Sequence, residues 1–269
     1  MNYESGCCYI NSNCYQPSSF SYRPGPLPAY TSNDGSQASA SIDDAVEDVQ
    51  LLTVSNREMP ESYQGLYLAN APKDYFVTAP FLTHLLPTKF VNDAAMLEEP
   101  SKEAFRKTTG KELPSNIAIH LCTENELRVA HERHGGRWNA GIQGFSINRG
   151  LKGVSEVFVK KAMLDEVMIT LGHEIGHVIS PTLNDVRDEE AKAFAFSIAW
   201  MRTIVDNNIA GLSNAINPNP AKNGIHDAGF EFVQEQLKNK MSAFDVFMQL
   251  ADGVLSITKQ LEQVILVEA

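Results

Sequence analysis

Residues 164–180 read LDEVMITLGHEIGHVIS. Leu164, Val167, Met168, Leu171, Ile175 and Val178 recur at helical spacing along one side, which predicts an amphipathic helix. Pro181 ends it, because the residue before a proline is pushed out of the helical region. Inside this helix His173-Glu174-Ile175-Gly176-His177 forms an H-E-x-x-H pattern. Side chains four apart lie one turn apart on one face, so both imidazoles reach a single ion. Glu174 is badly placed to ligate that ion but reaches a water beside it. Two neutral imidazoles and a carboxylate poised as general base are the groups a zinc hydrolase needs. With seven histidines in 269 residues, an accidental match is a roughly one-in-a-hundred event. Gly176 and Gly172 leave the helix without bulk, so another segment can approach closely. Each costs about 1 kcal/mol of helix stability relative to alanine.

Upstream, the order of elements is that of a small sheet. IAIHLCT (117–123) alternates and is β-branched, so it is a predicted strand. TENELRVAHERHGG (123–136) opens on a capping box, Thr123 to Glu126, and closes at Gly135-Gly136, so a helix is expected between. GIQGFSINRG (141–150) and VSEVFVKK (154–161) read as two further strands. Downstream, DEEAKAFAFSIAWMRTIVDNN (188–208) begins with acids that suit a helix N-terminus and is apolar nearly all round, which predicts a buried helix. Residues 217–223 form a Pro/Asn loop, and helices are expected near 228–240 and 242–253. A small sheet with a helix therefore precedes a helical half. Before position 116 the reading is sparser. A short helix is expected after Ser41 and another near 101–108, with prolines breaking any longer element between 60 and 115.

Catalytic zinc usually keeps three protein ligands and one open position. Pro181, Asn184 and the residues around them supply neither the Gly nor the third His of an H-E-x-x-H-x-x-G-x-x-H extension. Asp188, Glu189 and Glu190 open the next helix instead; an acid there otherwise serves the helix dipole. Two packed helices, one with paired histidines and one with a glutamate near its start, make a His₂Glu site. In this respect the sequence resembles the gluzincin metallopeptidases, whose third ligand is a Glu on the helix after the H-E-x-x-H helix. Glu190-Ala191-Lys192-Ala193-Phe194-Ala195 is similar to the E-A-x-x-F-A stretch of ImmA/IrrE-type members. The resemblance covers roughly residues 116–204.

It implies an α+β, zincin-like fold: a small mixed sheet with an active-site helix, followed by a helical C-terminal half. It implies metal ligation by His173, His177 and Glu190, with Glu189 as the alternative, and one Zn²⁺ per chain. It implies a zinc-dependent endopeptidase acting on protein or peptide substrates, with Glu174 as general base. It also implies that the strand before the metal helix, residues 155–161, borders the cleft and pairs with an extended substrate. The competing reading is a zinc-binding, non-hydrolytic recognition or docking protein that retains the fold.

Other polar residues are weaker candidates. His226 in GIHDAG reads as a turn or capping residue, with oxyanion stabilisation the functional alternative. His131 and His134 are spaced one residue too close to repeat the metal motif and read as a solvated helix face. His84 and His120 read as structural. All eight tyrosines lie at or before Tyr75, so none follows the metal helix.

Composition bounds the rest. The formal net charge of −11 argues against nucleic acid or an anionic membrane as partner. No run approaches the roughly 18 apolar residues of a membrane helix. The N-terminus lacks the basic and apolar segments of a secretory leader, so a cytoplasmic location is expected. Cys7, Cys8 and Cys14 read as free thiols in a tail, and Cys122 stands alone in a strand, which is no disulfide framework. Residues 1–45, rich in Ser, Pro and Tyr, are expected to be disordered, with residues 46–269 as a single domain. Such a tail also suits delivery by a specialised secretion route.

Overall fold

A computed structural model describes residues 8–10, 76–85, 87–220 and 227–259. All belong to one compact unit. The alternating segments pair as a small mixed sheet. β2 (Ile117–Cys122) and β4 (Ser155–Lys160) run parallel, with Ile117 opposite Ser155 and Cys122 opposite Lys160. β3 (Gly144–Ile147) runs antiparallel to β4, with Phe145 opposite Phe158. On the far side, the three-residue β1 (Cys8–Ile10) pairs antiparallel with β2, giving the order β1-β2-β4-β3. Tyr9 and Ile10 are residue types at home in strands. The reading of residues 1–45 as disordered and the helix after Ser41 otherwise lie outside the described residues.

Six α-helices fall among the described residues. α1 (Ala95–Thr109) precedes β2. It begins earlier than the proline-based reading of 101–108. Pro100 sits inside it, removing one backbone bond, while buried Leu97, Ala104 and Phe105 anchor the turns on either side. α2 (Glu124–Arg133) has the expected capping box: Thr123 Oγ1 accepts from the Glu126 N–H, and the Glu126 carboxylate accepts from the Thr123 N–H at 2.8 Å. α3 (Leu164–Val178) is the H-E-x-x-H helix, and α4 (Val186–Asn207) is the buried helix after it. α5 (Ala228–Lys238) and α6 (Ala243–Ala251) complete the helical half. Among these helices, none is long and apolar enough to cross a membrane.

The strand period sorts the sheet's two faces. Ile117, Ile119, Leu121, Val157 and Val159 enter the main core with α3 and α4. Cys122 and Phe158 point the other way, into a smaller cluster with Leu127 of α2 and Ile142. α4 packs against α1, α3, α5 and α6, which is why Phe196, Ile198, Trp200 and Met201 are all buried. The two glycines of α3 let α4 approach closely. A Cβ at Gly176 would lie 2.9 Å from Ala193 Cα, and one at Gly172 would lie 2.4 Å from Trp200 Cδ1. Trp200 settles against that gap and donates its indole N–H to the Met168 carbonyl at 2.9 Å.

The sheet order overturns one expectation. β4 is hydrogen-bonded along both sides, by β2 and by β3. It has no free edge to offer an extended peptide. The outer strand beside the H-E-x-x-H helix is β3.

Candidate metal centre

α3 and α4 together build the site. His173 and His177, one turn apart, face the first turn of α4 across the α3–α4 interface. Their ring nitrogens and the Glu190 carboxylate lie within 4.8 Å of one another. His173 Nε2 is 3.5 Å from Glu190 Oε2, and His177 Nε2 is 3.8 Å from Glu190 Oε1. Donors about 2.0–2.1 Å from a tetrahedral zinc stand roughly 3.3 Å apart, so this spacing fits after a small contraction. Two imidazole nitrogens and one carboxylate form a zinc-type donor set, unlike the all-oxygen cages of calcium.

Glu189, the alternative ligand, faces elsewhere. Its Oε1 is 2.9 Å from His177 Nδ1, on the opposite side of the ring from Glu190. Its Oε2 accepts from the Leu183 N–H at 2.8 Å and from Lys192 Nζ at 2.8 Å. Lys192 is fully buried and also donates to the Pro181 carbonyl at 3.1 Å. The two neighbouring glutamates therefore address different nitrogens of one imidazole. Only Glu190 stands on the Nε2 side that His173 shares.

The histidines are held by different means. Glu189 orients His177. His173 lies between rings: Phe76 stacks on it at 4.0 Å and 7°, and Phe194 meets it edge-on at 5.0 Å. Among the described residues, His173 Nδ1 is buried with no hydrogen-bond partner.

Electrostatics follow from this crowding of charge. Burial opposes a charged His177, but the Glu189 hydrogen bond and the charges of Glu190 and Glu174 outweigh it and raise the group to about 8. Burial likewise opposes Glu190 ionisation. The two imidazoles overcome it and hold the carboxyl at about 2. Asp227 caps α5 by accepting from the Gly229 N–H at 2.7 Å and the Phe230 N–H at 3.2 Å. Burial, then the Glu190 charge, push its carboxyl up.

Glu174 is buried beside this centre, against β3. Ser146 Oγ donates to its Oε2 at 2.9 Å. A Cβ at Gly144 would meet Thr170 Cγ2 at 2.6 Å, the Phe158 carbonyl oxygen at 2.8 Å and Glu174 Cγ at 3.3 Å, so the missing side chain lets β3 lie close against α3. Asn148, just past the strand, donates to the carbonyls of His177 and Ser180, both at 2.7 Å, and closes the C-terminus of α3.

The remaining candidates separate. His131 is half-buried against Phe145 and Trp138, with centroids 5.1 and 6.2 Å away, because the glycine at 136 lets its ring fold inward; it is not on a solvated face. His134 is exposed, as expected. His120 stacks on Phe158 at 4.5 Å, a structural placement, and His84 is an exposed turn residue with φ 54°. His226, Cys7 and Cys14 lie outside the described residues. Ser146, Asn148, Phe76 and Lys192 were not singled out by sequence. Lys192 alone carried a signal, as a charge inside an otherwise apolar helix. No protein-family model, no curated protein and no solved structure matches this chain.

Proposed function

We propose that this protein is a zinc-dependent peptidase. The reading rests above all on one observation: His173, His177 and Glu190 converge on a common point beside buried Glu174. His173 and His177 would bind the ion through Nε2, and Glu190 through its carboxylate. Zinc bound there supplies Lewis acidity and brings the pKa of a water down towards roughly 7. The Glu174 carboxylate would accept a proton from the attacking water as its oxygen adds to the peptide carbonyl. It returns the proton to the leaving amine, so that water and one peptide bond give an acid and an amine. Ser146 holds the Glu174 carboxylate during this exchange.

β3 takes the role expected of the preceding strand. Among the described residues it pairs only with β4, and Ser146 on it holds Glu174. An extended substrate adding to its open edge would run past the general base.

The test is Glu174→Gln. Wild-type protein should carry about one zinc per chain and cleave members of a diverse peptide library in a chelator-sensitive way. The variant should keep the metal and lose cleavage by at least about 100-fold. Full activity in the variant would refute the role of Glu174. Zinc binding without cleavage of any peptide by the wild type would instead favour the recognition protein.

A further inference from the structure

The contacts of residue 189 go beyond those of an ordinary carboxylate beside a histidine. Its Oε2 faces only donors: the Leu183 N–H at 2.8 Å and the Lys192 ammonium at 2.8 Å. Its Oε1 faces His177 Nδ1 at 2.9 Å. Glu189 is nearly nine-tenths buried at its side chain and Lys192 is wholly buried. An ammonium in such a place costs several kcal/mol to desolvate. Its helical neighbours Ala191, Ala193 and Phe194 are apolar, so packing alone would be served by a methionine or leucine.

We propose that Lys192 and Glu189 act as one positioning pair for His177, fixing both the ring's orientation and which nitrogen carries the proton. The inference rests on the metal reading given above. A metal ligand must present a bare lone pair. With Glu189 accepting from Nδ1–H, the neutral ring keeps its lone pair on Nε2, facing Glu190 and His173. Lys192 matters because it pins the other carboxylate oxygen and so prevents residue 189 from turning. The same ammonium ties Pro181, in the link between α3 and α4, to α4. Lys192 thus acts on the metal site without touching it.

The pair makes an unusual outcome for a near-isosteric change. In Glu189→Gln the Leu183 N–H and Lys192 ammonium both demand an acceptor, so the amide oxygen must face them. The amide NH₂ is left facing His177 Nδ1. That arrangement asks Nδ1 to accept and moves the ring proton to Nε2, the wrong nitrogen for binding. Removing Lys192 withdraws one of the two donors that lock the amide, so the double variant should lose less than the sum of the single losses.

The experiment uses the full chain and four proteins: wild type, K192M, E189Q and E189Q/K192M. Zinc affinity is read by competition with a chromogenic chelator. The His177 proton is located in the chelated proteins at pH 9 by long-range ¹H–¹⁵N spectra. Thermal unfolding controls for folding. The expected result is a loss of zinc affinity of about 10- to 100-fold in K192M and in E189Q. The ring proton should sit on Nδ1 in wild type and on Nε2 in E189Q, and the two losses should be sub-additive. If wild type binds zinc and folded K192M binds it equally well, the pairing is overturned while the metal reading stands. If K192M does not fold, E189Q decides: a proton still on Nδ1 overturns the inference. Wild type without zinc affinity overturns the metal reading and this inference with it.

Discussion

Gly176→Ala sets two known effects against each other at the centre of the metal motif. Helix propensity alone favours the change, by about 1 kcal/mol for a glycine in a helix interior. Packing opposes it. The added methyl would sit 2.9 Å from Ala193 Cα, 3.0 Å from Phe196 Cβ and 3.1 Å from the Ala193 carbonyl oxygen. Carbon atoms normally approach to about 3.5–4.0 Å, so α3 and α4 must separate by roughly half an ångström. Two of those atoms belong to backbone, which cannot swing aside as a flexible side chain would. Overpacking of this kind costs about 1–3 kcal/mol, so the net change is a loss of up to about 2 kcal/mol. The same displacement carries His173 and His177 away from Glu190, whose carboxylate already stands 3.5 and 3.8 Å from them. Denaturant unfolding in chelator would read the stability, and chelator competition the zinc affinity. Both should fall, the affinity by at least about tenfold, or 1.4 kcal/mol. A variant stabilised by about 1 kcal/mol, with zinc affinity unchanged, would show that the helices do not need this contact and that the argument from close approach is wrong.

Three further outcomes are expected. His177 is raised from 6.5 to about 8 in the metal-free protein, so its share of stability is complete below pH 6.5 and lost as pH rises through 8. Melting of the chelated protein should accordingly weaken by about 2 kcal/mol between pH 6 and pH 9. Because zinc must displace that proton, apparent affinity should climb nearly tenfold per pH unit up to about 8 and then level; a flat profile from 6 to 8 would contradict the assignment. Ser146→Ala removes the hydroxyl that holds Glu174 at 2.9 Å. It should lower kcat roughly tenfold with KM and zinc content little changed, and a kcat within twofold of wild type would exclude a positioning role for Ser146.

The H-E-x-x-H helix and its partner are legible in the sequence because their signals are local. Histidines four apart on a helix share a face whatever surrounds them. The acids opening α4, the capping box at Thr123 and the glycine gaps at 172 and 176 are likewise fixed within a few residues. Sheet order is not. Which strand lies inside depends on how β2 and β4 pair across 38 positions of register, Ile117 to Ser155, and no periodicity within either segment encodes that. Sequence alone therefore assigns the strand before the H-E-x-x-H helix the edge that β3 holds. Ser146 and Phe76 escaped for the same reason: each reaches the site through tertiary contact, from 28 positions before Glu174 in one case and from an upstream segment stacked on His173 in the other. The choice between Glu189 and Glu190 lies between these extremes. Adjacent helix residues differ by about 100° in direction, so only one can share the face of the Nε2 atoms, but deciding which requires the rotation of α4 against α3.

That rotation is set by the packing of the two helices against each other. Trp200 against Gly172, with its indole bonded to Met168, fixes one end of the helix pair, and Ala193 against Gly176 fixes the middle. Near the ligands, Lys192 on Pro181, Glu189 on Leu183 and Asn148 on His177 and Ser180 hold the link between the helices. None of these contacts uses a ligand atom. The main core, with Leu171, Ile175, Phe196 and Trp200 fully buried, is likewise built from apolar side chains. A metal entering this site would therefore meet donors already gathered, in contrast to small zinc domains whose ligands assemble only as the metal binds. The placement of those donors would then follow from the packing of α3 against α4.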